Sequence, residues 1–460
     1  MWFACDSTAR WTFSPSCRTH GIGFTLRAEG STITQFNEQI PSKRISTQAV
    51  HGRAATAFVL VTVLLDIMAL GMMLPALPKL VESFVPGDTA LAARIYGVFG
   101  MSWGLMQFFG APILGALSDR YGRRPVILLS NLGLGLDYIL MALAPNLWIL
   151  LIGRLIAGVT SASTSTAFAY IADITPEEQR ATEFGKILAM FGIGFIAGPA
   201  IGGYLASIDP RWPFMAAAAF SLTNFTYGYF VLPESLGREK RMPFTWARAN
   251  PYTSLQMLGR NRRILGLSIV SLLDSLALVA LPSTFVLYAT HKFGWTEDIV
   301  GFTFAGVGIG LAVVHGVLTG PVVKRLGERT TLLVGMVFGT LGFAMYGISW
   351  EGWVIWASIP LIALWGLSDT TISSLMSAEF GTREQGRLQG ALASLMALAE
   401  TFGPLLSTQV YAFAIQHGGA GGTWAGAPFM VAALLQLIGF SLAYICTRTP
   451  KAVSPTEPSA

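Results

Sequence analysis

The sequence predicts an all-α membrane protein with twelve transmembrane helices arranged as two six-helix repeats. Asp, Glu, Lys and Arg make up 12% of the 460 residues and apolar residues make up 53%, whereas a soluble domain carries about 25% charged residues. Apolar runs recur along the chain, most of them about 20 residues long, which lets a helix cross a hydrocarbon core of about 30 Å. Short motifs of the first half return in the second half, which is typical of transporters built from repeats.

The apolar runs define twelve predicted spans, which we number in chain order. Glycine and proline lie inside several of them, as membrane helices tolerate. The spans cover residues 54–77, 94–116, 125–144, 147–171, 184–206, 212–233, 264–288, 299–323, 330–349, 353–377, 388–413 and 424–447.

The spans divide the chain into five parts. They are an N-terminal tail (1–53), a first six-helix bundle (54–233), a cytoplasmic linker (234–263), a second bundle (264–447) and a C-terminal cytoplasmic tail (448–460). Two interpretations of the polar N-terminal tail stay open. It is a disordered cytoplasmic segment, or it is a gene-model artefact, because no methionine lies between Met1 and Met68 and a non-AUG start near Val50 would remove it.

The distribution of Lys and Arg predicts the orientation in the membrane. Loops that follow an even-numbered span, with their flanks, hold 17 basic residues, and loops that follow an odd-numbered span hold 4. Because basic loops stay in the cytoplasm, we expect both termini to be cytoplasmic in an inner membrane. The first set is Arg120, Arg123, Arg124, Arg180, Lys186, Arg238, Lys240, Arg241, Arg248, Arg260, Arg262, Arg263, Lys324, Arg325, Arg329, Arg383 and Arg387; the second is Lys79, Arg94, Arg211 and Lys292.

Several function classes are disfavoured by what the sequence contains. The spacing of Cys5, Cys17 and Cys446 suggests neither a disulfide framework nor a metal site. No GxxxxGK[ST] phosphate loop occurs, so ATP hydrolysis is not expected. The basic residues lie in short loops, which argues against nucleic-acid binding. We therefore expect no enzyme activity, cofactor or metal. The expected partners are a small-molecule substrate, protons and the lipid bilayer, with the monomer as the functional unit.

Three motifs of the first bundle recur in the second. Gly115–Arg124 is echoed by Gly320–Arg329, and Gly198-Pro199 by Gly403-Pro404. Asp66 follows two leucines, as does Asp274. Repeats of this kind favour a transporter whose substrate site lies between the two bundles.

At these residues the chain resembles a known family. Gly115–Arg124 fits the GxLaDrxGrr loop signature of the major facilitator superfamily, Arg154–Gly158 resembles its fourth-helix motif, and Gly194–Gly203 resembles the fifth-helix motif associated with antiporters. The resemblance covers about residues 54–447. It extends to the tetracycline-efflux branch at Leu65-Asp66, Pro75-x-x-Pro78, Leu136-Asp137-Tyr138 and Tyr170-Ile-Ala-Asp173.

The resemblance implies a gate that locks the bundles in one state. The implied gating residues are Gly115, Asp119, Arg120, Gly122, Arg123, Asp173, Gly198, Pro199, Gly202 and Gly203. Physically, the carboxylate of Asp119 can cap the N-terminus of a facing helix, and Asp173 would complete a charge chain. The glycines allow close packing, and Pro199 is expected to bend its helix. A basic loop that only sets topology, and ordinary membrane packing, are the alternatives.

Arg154 is the basic residue that the sequence places deep inside a span, where a charge normally has a partner. We expect that partner to be Asp66, and we expect the face of the fourth span with Gly158, Ser161 and Ser165 to line the cavity. Competition between the Arg154 charge and burial would then make protonation of Asp66 sensitive to substrate. A static ion pair is the alternative.

The remaining intramembrane polar residues complete the candidate site. Asp66 ranks first as proton carrier, with Arg154 setting its affinity, followed by Asp274, Glu400, Asp369 and Asp137. Ser161, Ser165, Asp137 and His315 are candidates for the substrate cavity. Of these, His315 could titrate near neutral pH.

These residues predict a proton-coupled antiporter that exports an amphipathic drug or metabolite by alternating access. Tetracycline is one candidate. The chain departs from that branch at three places. Typical tetracycline exporters carry a Gly-Ala-Thr-Gly stretch where residues 161–164 read Ser-Ala-Ser-Thr. They carry an acid in the ninth span, where this chain has none near Gly339, and their histidine would fall near Leu311, whereas His315 lies one turn later. Asp274, Asp369 and Glu400 are additional acids. A nutrient symporter or uniporter and a non-transporting membrane sensor stay open as alternatives.

Overall fold

The computed structural model describes residues 42–161, 163–246, 255–259, 261–380, 385–418 and 424–448. Two compact units are distinguished, Met1–His51 and Gly52–Ala460. Of the first unit, the part described is the beginning of helix α1. The two bundles lie in the second unit.

The first bundle consists of seven helical segments that follow the first six predicted spans. Asp88 and Asn146 cap two of them, because their side chains accept hydrogen bonds from the N–H groups of Leu91 and Ile149 at 2.8 and 3.0 Å. The helices are α1 (Ser42–Ser83), α2 (Thr89–Tyr121), α3 (Arg123–Ala142), α4 (Leu147–Thr160), α5 (Ser163–Ile174), α6 (Glu177–Ile208) and α7 (Trp212–Val231).

The second bundle follows the linker, in which two 3-10 turns cover Arg238–Lys240 and Gln256–Gly259. Asn261 caps its first helix, and Gly294 ends that helix in the left-handed conformation. The helices are α8 (Arg262–Phe293), α9 (Glu297–Val313), α10 (Thr319–Ile348), α11 (Gly352–Ser377), α12 (Gln385–His417) and α13 (Ala427–Cys446), with a π-helical turn at Val314–Leu318.

One expectation about the elements is corrected. Residues 42–53, predicted to belong to a disordered tail, form the start of α1; residues 1–41 lie outside the described residues, as does the C-terminal tail from 449. The fourth span is confirmed as one apolar helical stretch, Leu147–Ile174; residue 162, between α4 and α5, lies outside the described residues. The basic residues expected between the eighth and ninth spans lie in α10, around a kink at Gly327 (φ 76°) where two helices meet.

Among the described residues, ten helical stretches are long and apolar enough to cross a membrane. One of them, Glu297–Ile348, has 52 residues and as a straight helix would be about 78 Å long. That is more than twice a bilayer core, so with its break at Gly327 it accounts for two predicted spans. The 20-residue helix α7, although not among the ten, adds the sixth span. The predicted all-α membrane fold is confirmed, and the helices are consistent with twelve crossings.

The repeat is visible in the backbone. Gly122 lies between α2 and α3 with φ 111°, and Gly327, its counterpart in the second repeat, has φ 76°. Both values lie in the region that favours glycine. The repeated glycine is therefore required at these two turns by the backbone conformation.

The two bundles pack against each other at one end. We call the helix ends that carry the 17 basic residues the basic ends, and the others the opposite ends. At the opposite ends α2 packs on α12 and α6 packs on α9. One buried apolar cluster joins residues of both bundles there, including Ala90, Ala93, Tyr288 and Tyr411.

Candidate functional site

The loop between α2 and α3 brings two carboxylates to one arginine. Nη1 of Arg123 lies 2.5 Å from Oδ1 of Asp119, and its Nε lies 3.0 Å from Oδ2 of Asp173 at the end of α5. The same guanidinium donates to the Ser118 hydroxyl at 2.9 Å. Arg123 thus joins the ends of three helices by charge-assisted hydrogen bonds.

Two residues at the beginning of the linker, which sequence reasoning missed, complete this cluster. Glu234 accepts from the backbone N–H of Arg123 at 2.8 Å, and the Ser235 hydroxyl donates to Asp173 at 3.1 Å. Arg241 lies 3.9 Å from Glu234. The acid directly after the sixth span was the available signal, because it is followed by a basic run and can oppose the N-terminus of α3.

The remaining loop residues differ in their surroundings. Arg120 is exposed and lies over the ring of Tyr121 at 5.1 Å, so the structure does not bring it into the Arg123 cluster. A Cβ at Gly115 would meet nothing within 4 Å. The capping of a facing helix by Asp119 stays a prediction; residues 381–384, which precede α12, lie outside the described residues.

The structure brings Arg154 to Trp103 and Asp137, and its pairing with Asp66 stays a prediction. The guanidinium of Arg154 lies over the Trp103 ring at 5.4 Å, and the charge of Asp137 on α3 acts on it. The helix that carries Asp137 packs directly against α4.

Asp137 is completely buried, with 0% of its surface exposed. A Cβ at Gly153 would lie 2.6 Å from Oδ1 of Asp137, so the missing side chain makes room for the carboxylate. Asp66 is buried on α1, and both carboxylates act on the hydroxyl of Tyr138. The interior of the first bundle therefore holds one cation, two acids and a tyrosine in the same region.

The small polar face of the fourth span has two different environments. A Cβ at Gly158 would lie 2.5 Å from the Trp103 carbonyl oxygen, so this part of the face packs on α2 instead of lining a cavity. Ser161 contacts Gln107 of α2 at 3.0 Å. Ser165 on α5 is exposed.

Asp274 is held in a network inside the second bundle. Its Oδ1 accepts hydrogen bonds from Trp365 Nε1, Ser368 Oγ and Gln436 Nε2 at 2.8, 3.2 and 3.1 Å. Three donors therefore converge on one oxygen of this buried acid. Its environment differs from that of its repeat counterpart Asp66, and this was not readable from the repeat.

Asp369 and His315 lie near each other in the second bundle. Both side chains are exposed, and the charge of His315 acts on Asp369. His315 belongs to the π-helical turn, and its Nε2 lies 3.1 Å from the carbonyl oxygen of Gly366 on the helix that carries Asp369. Turns of this type frequently occur at functional sites.

Glu400 connects the two bundles. Its Oε2 accepts a hydrogen bond from Nε2 of Gln107 on α2 at 3.0 Å. Gln107 was not among the predicted residues; its signal was an isolated amide in the middle of an apolar span.

The fifth-helix motif packs on two sides. Towards α1, a Cβ at Gly198 would lie 2.7 Å from the Met68 carbonyl oxygen, and one at Gly202 would collide with the Met72 backbone. Towards α9, a Cβ at Gly203 would collide with the Glu297 carbonyl oxygen. The motif residues, with Pro199 among them, lie in the half of α6 nearer the opposite ends.

Side chains reinforce this contact between bundles. Lys79 pairs with Glu297 at 3.5 Å, and Arg94 donates to Gln416 at 2.7 Å. The Tyr96 hydroxyl lies 3.4 Å from the Pro282 carbonyl oxygen. All three contacts lie at the opposite ends.

Towards the basic ends, several glycines have no close neighbour among the described residues. A Cβ at Gly115 of α2, at Gly185 or Gly192 of α6, or at Gly316 in the π turn would meet nothing within 4 Å. On α2, by contrast, a Cβ at Gly104 would lie 2.6 Å from the Glu400 carbonyl oxygen. Among the described residues, the side-chain contacts between the bundles named above therefore lie towards the opposite ends.

Comparison with known proteins places this geometry in a family. The sequence matches the Major Facilitator Superfamily over residues 56–404 and 265–460. It is 38% identical over 384 residues to the tetracycline resistance protein, class C, of Escherichia coli, covering 84% of this chain and 95% of that protein. It is 37% identical over 390 residues to the class G protein of Vibrio anguillarum, covering 84% and 96%.

A solved structure gives the same result. The human organic anion transporter MFSD10 (TETRAN) superimposes with a TM-score of 0.63 and 25% identity, covering 85% of this chain and 99% of that one. These relatives are transporters and not enzymes. The chain belongs to the Major Facilitator Superfamily of membrane transporters.

Proposed function

We propose that this protein exports an amphipathic drug or metabolite in exchange for protons by alternating access. One observation carries the proposal: four helices of the two bundles pack on each other towards the opposite ends, near buried ionisable residues. Since glycines nearer the basic ends have no close neighbour, we infer that the space between the bundles is open there. Closing the open end and opening the closed end would expose the same interior to the other side of the membrane.

The distribution of basic residues gives this conformation a direction. If the basic ends are cytoplasmic, as the 17 basic residues favour, the interior is open to the cytoplasm. The protein described is then the inward-facing form, in which an exporter takes up its substrate. The Arg123 cluster would form its contacts with the facing bundle in the other form.

The ionisable residues supply candidates for the coupled proton. In the first bundle Asp66 and Asp137 share the interior with Arg154, and in the second Asp369 lies near His315. Buried acids are costly in a membrane and are usually functional. We propose Asp66 as the main carrier, with Arg154 acting on it and on Asp137.

Tetracycline is the first substrate to test. This chain aligns with two tetracycline resistance proteins over almost their whole length. That similarity supports a related substrate. His315 and Asp369 would face a substrate between the bundles, where a histidine and an acid can bind polar groups of an amphipathic drug.

A susceptibility panel in an exporter-deficient host tests the proposal. We expect the protein to raise the inhibitory concentration of tetracycline or of another amphipathic drug, and to drive its uptake into everted vesicles only while a pH gradient is present. Counterflow without a gradient but no uphill export would indicate a uniporter. Accumulation in the same direction as protons would indicate a symporter. No transport of any panel compound by a protein present in the membrane would favour a sensor.

Asp119→Asn should slow transport. Arg123 would lose one of its two carboxylate partners. The charge that we propose caps a facing helix would also be lost, which weakens the one conformation in which the cap forms. Charge–dipole interactions are worth about 0.3–2 kcal/mol, so the ratio of states would shift by up to about thirtyfold. Efflux of the panel's best drug from everted vesicles, normalised to membrane abundance, measures this. Arg120→Gln is the matched control and should stay near wild type, since Arg120 is exposed. Normal transport by Asp119→Asn would contradict the proposed lock.

A further inference from the structure

Gln107 and Glu400 form a hydrogen bond from one bundle to the other inside the membrane. The amide nitrogen of Gln107 on α2 lies 3.0 Å from Oε2 of Glu400 on α12. The other end of the same amide, Oε1, lies 3.0 Å from the hydroxyl of Ser161. The Ser161 hydroxyl also lies 3.0 Å from the Gly158 carbonyl oxygen, so its one proton is shared between the two acceptors. Because an ionised carboxylate can only accept, the Gln107 amide presents its N–H to the acid and its oxygen to Ser161.

This bond requires the close packing of α2 on α12. One turn before Gln107, a Cβ at Gly104 would lie 2.6 Å from the carbonyl oxygen of Glu400 and 2.8 Å from Cα of Thr401. Gly104 therefore lets the two helices approach until the amide reaches the carboxylate. If the helices separate at the opposite ends, the amide moves away from the acid, and the donor is lost.

From this geometry we propose that Gln107 is a positioning residue that ties the ionised form of Glu400 to the conformation closed at the opposite ends. A hydrogen bond donated to a carboxylate stabilises its charged form. Glu400 would release its proton when the bond forms and take one up when the helices separate. The proton would thus be bound from outside and released to the cytoplasm, the direction that drives export. The inference rests on the proposed alternating access.

Other charged groups around Glu400 are engaged elsewhere. α12 packs against α2, α8, α13 and the 3-10 turn Gln256–Gly259, which contains no charged residue. On α2, Arg94 bonds Gln416 and the Tyr96 hydroxyl contacts Pro282; on α8, Asp274 bonds three donors of its own bundle; and Ala427–Cys446 of α13 contains no Asp, Glu, Lys, Arg or His. Within the described residues no ion pair includes Glu400, so the amide of Gln107 is its partner across the interface.

The helix that carries Gln107 also reaches the charged residues of the first bundle. Trp103 lies four residues before Gln107 and hence on the same face of α2. Its ring is 5.4 Å from the Arg154 guanidinium. One helix face therefore contacts Arg154 at Trp103 and Glu400 at Gln107, so a movement of α2 would affect both.

The test measures how the ratio of the two conformations depends on pH. Leu188→Cys on α6 and Val317→Cys in the π turn, both at exposed positions, would carry spin labels in purified protein lacking the three native cysteines and reconstituted in lipid. Distance distributions between about pH 5 and pH 9 give the fraction that is open at the basic ends. For the wild type this fraction should fall as pH decreases, because protonation of Glu400 removes the preference for the bonded conformation.

In the wild type the ratio of the two conformations changes between low and high pH. Gln107→Leu and Glu400→Gln should each make this change about tenfold smaller, since a hydrogen bond to a charged group is lost. The double variant should lose no more than either single one. Gln416→Leu, the same kind of substitution at the end of α12, is the control. It removes the bond from Arg94, which lowers the open fraction at every pH alike, and it should keep the wild-type change of that fraction with pH. If Gln107→Leu does not fold, Ser161→Ala, which releases the amide, replaces it and should also weaken the response.

A wild-type pH response in Gln107→Leu, or in Ser161→Ala, would overturn the inference, as would a full additional loss in the double variant. Drug export is measured separately in proteoliposomes with tetracycline. A pH response that depends on Gln107 without tetracycline export would count against the proposed substrate and leave the inference standing. Proton-driven export with a pH response independent of Gln107 would support the function and refute the inference.

Discussion

Asp66→Asn is expected to reduce uphill export to the level of protein-free vesicles, because an amide cannot carry a proton through the transport cycle. The substituted residue keeps the size of Asp66 and its ability to form hydrogen bonds, so counterflow of labelled drug without a pH gradient should persist. Asp66 is buried in the same interior as Arg154 and Asp137. Parallel recordings of drug efflux and proton flux in proteoliposomes measure the effect.

The second repeat offers the matched control, Asp274→Asn. The oxygen of an asparagine at that position could still accept from Trp365, Ser368 and Gln436, which all bond Oδ1 of Asp274. We therefore expect this variant to retain coupled export, with the side chain serving structure and not proton transfer. Uphill export by Asp66→Asn would place the carrier elsewhere, and loss of coupling in Asp274→Asn alone would reverse the assignment.

Gly104→Ala is expected to shift the protein away from the conformation closed at the opposite ends. The new Cβ would lie 2.6 Å from the Glu400 carbonyl oxygen, so a backbone would have to move. Overpacking of this kind costs about 1–3 kcal/mol, which corresponds to a shift of about 5- to 150-fold in the ratio of the two conformations. Spin-label distances between positions 188 and 317 at the basic ends should accordingly shorten.

Gly115→Ala on the same helix is the matched control. A Cβ there meets nothing within 4 Å in this conformation, so the substitution should not move the protein away from it. Both substitutions raise the helix propensity by the same amount. The two variants therefore differ in what the new Cβ contacts. Equal distance distributions in the two variants would contradict the description of one closed and one open end.

Much of the site could be predicted because it depends on spacing along one helix or loop. Asp119 and Arg123 lie four residues apart across a glycine turn, and the structure joins them. Gly198, Gly202 and Gly203 form a small-residue pattern that marks a close helix approach, and backbones do approach there.

What sequence reasoning missed concerns partners that come from different helices. Asp66 was chosen for Arg154 by its depth in the membrane, and depth gave no sign that Asp137 would also act on this arginine. Glu234 and Gln107 were missed because each is a single polar residue without a motif of its own. Their importance follows from what lies opposite them, Arg123 in one case and Glu400 in the other.

The sequence by itself determined that this chain is helical, spans a membrane and contains two repeats. Those properties follow from local composition, since a bilayer requires about 20 apolar residues per crossing and basic loops predict orientation. Only the tertiary structure decided that Asp137 acts on Arg154, that Asp274 bonds donors of its own bundle, and that Gln107 reaches Glu400. The reason is that hydrogen bonds and charge contacts act over a few ångströms between helices distant in sequence, and helix packing alone brings them within that range.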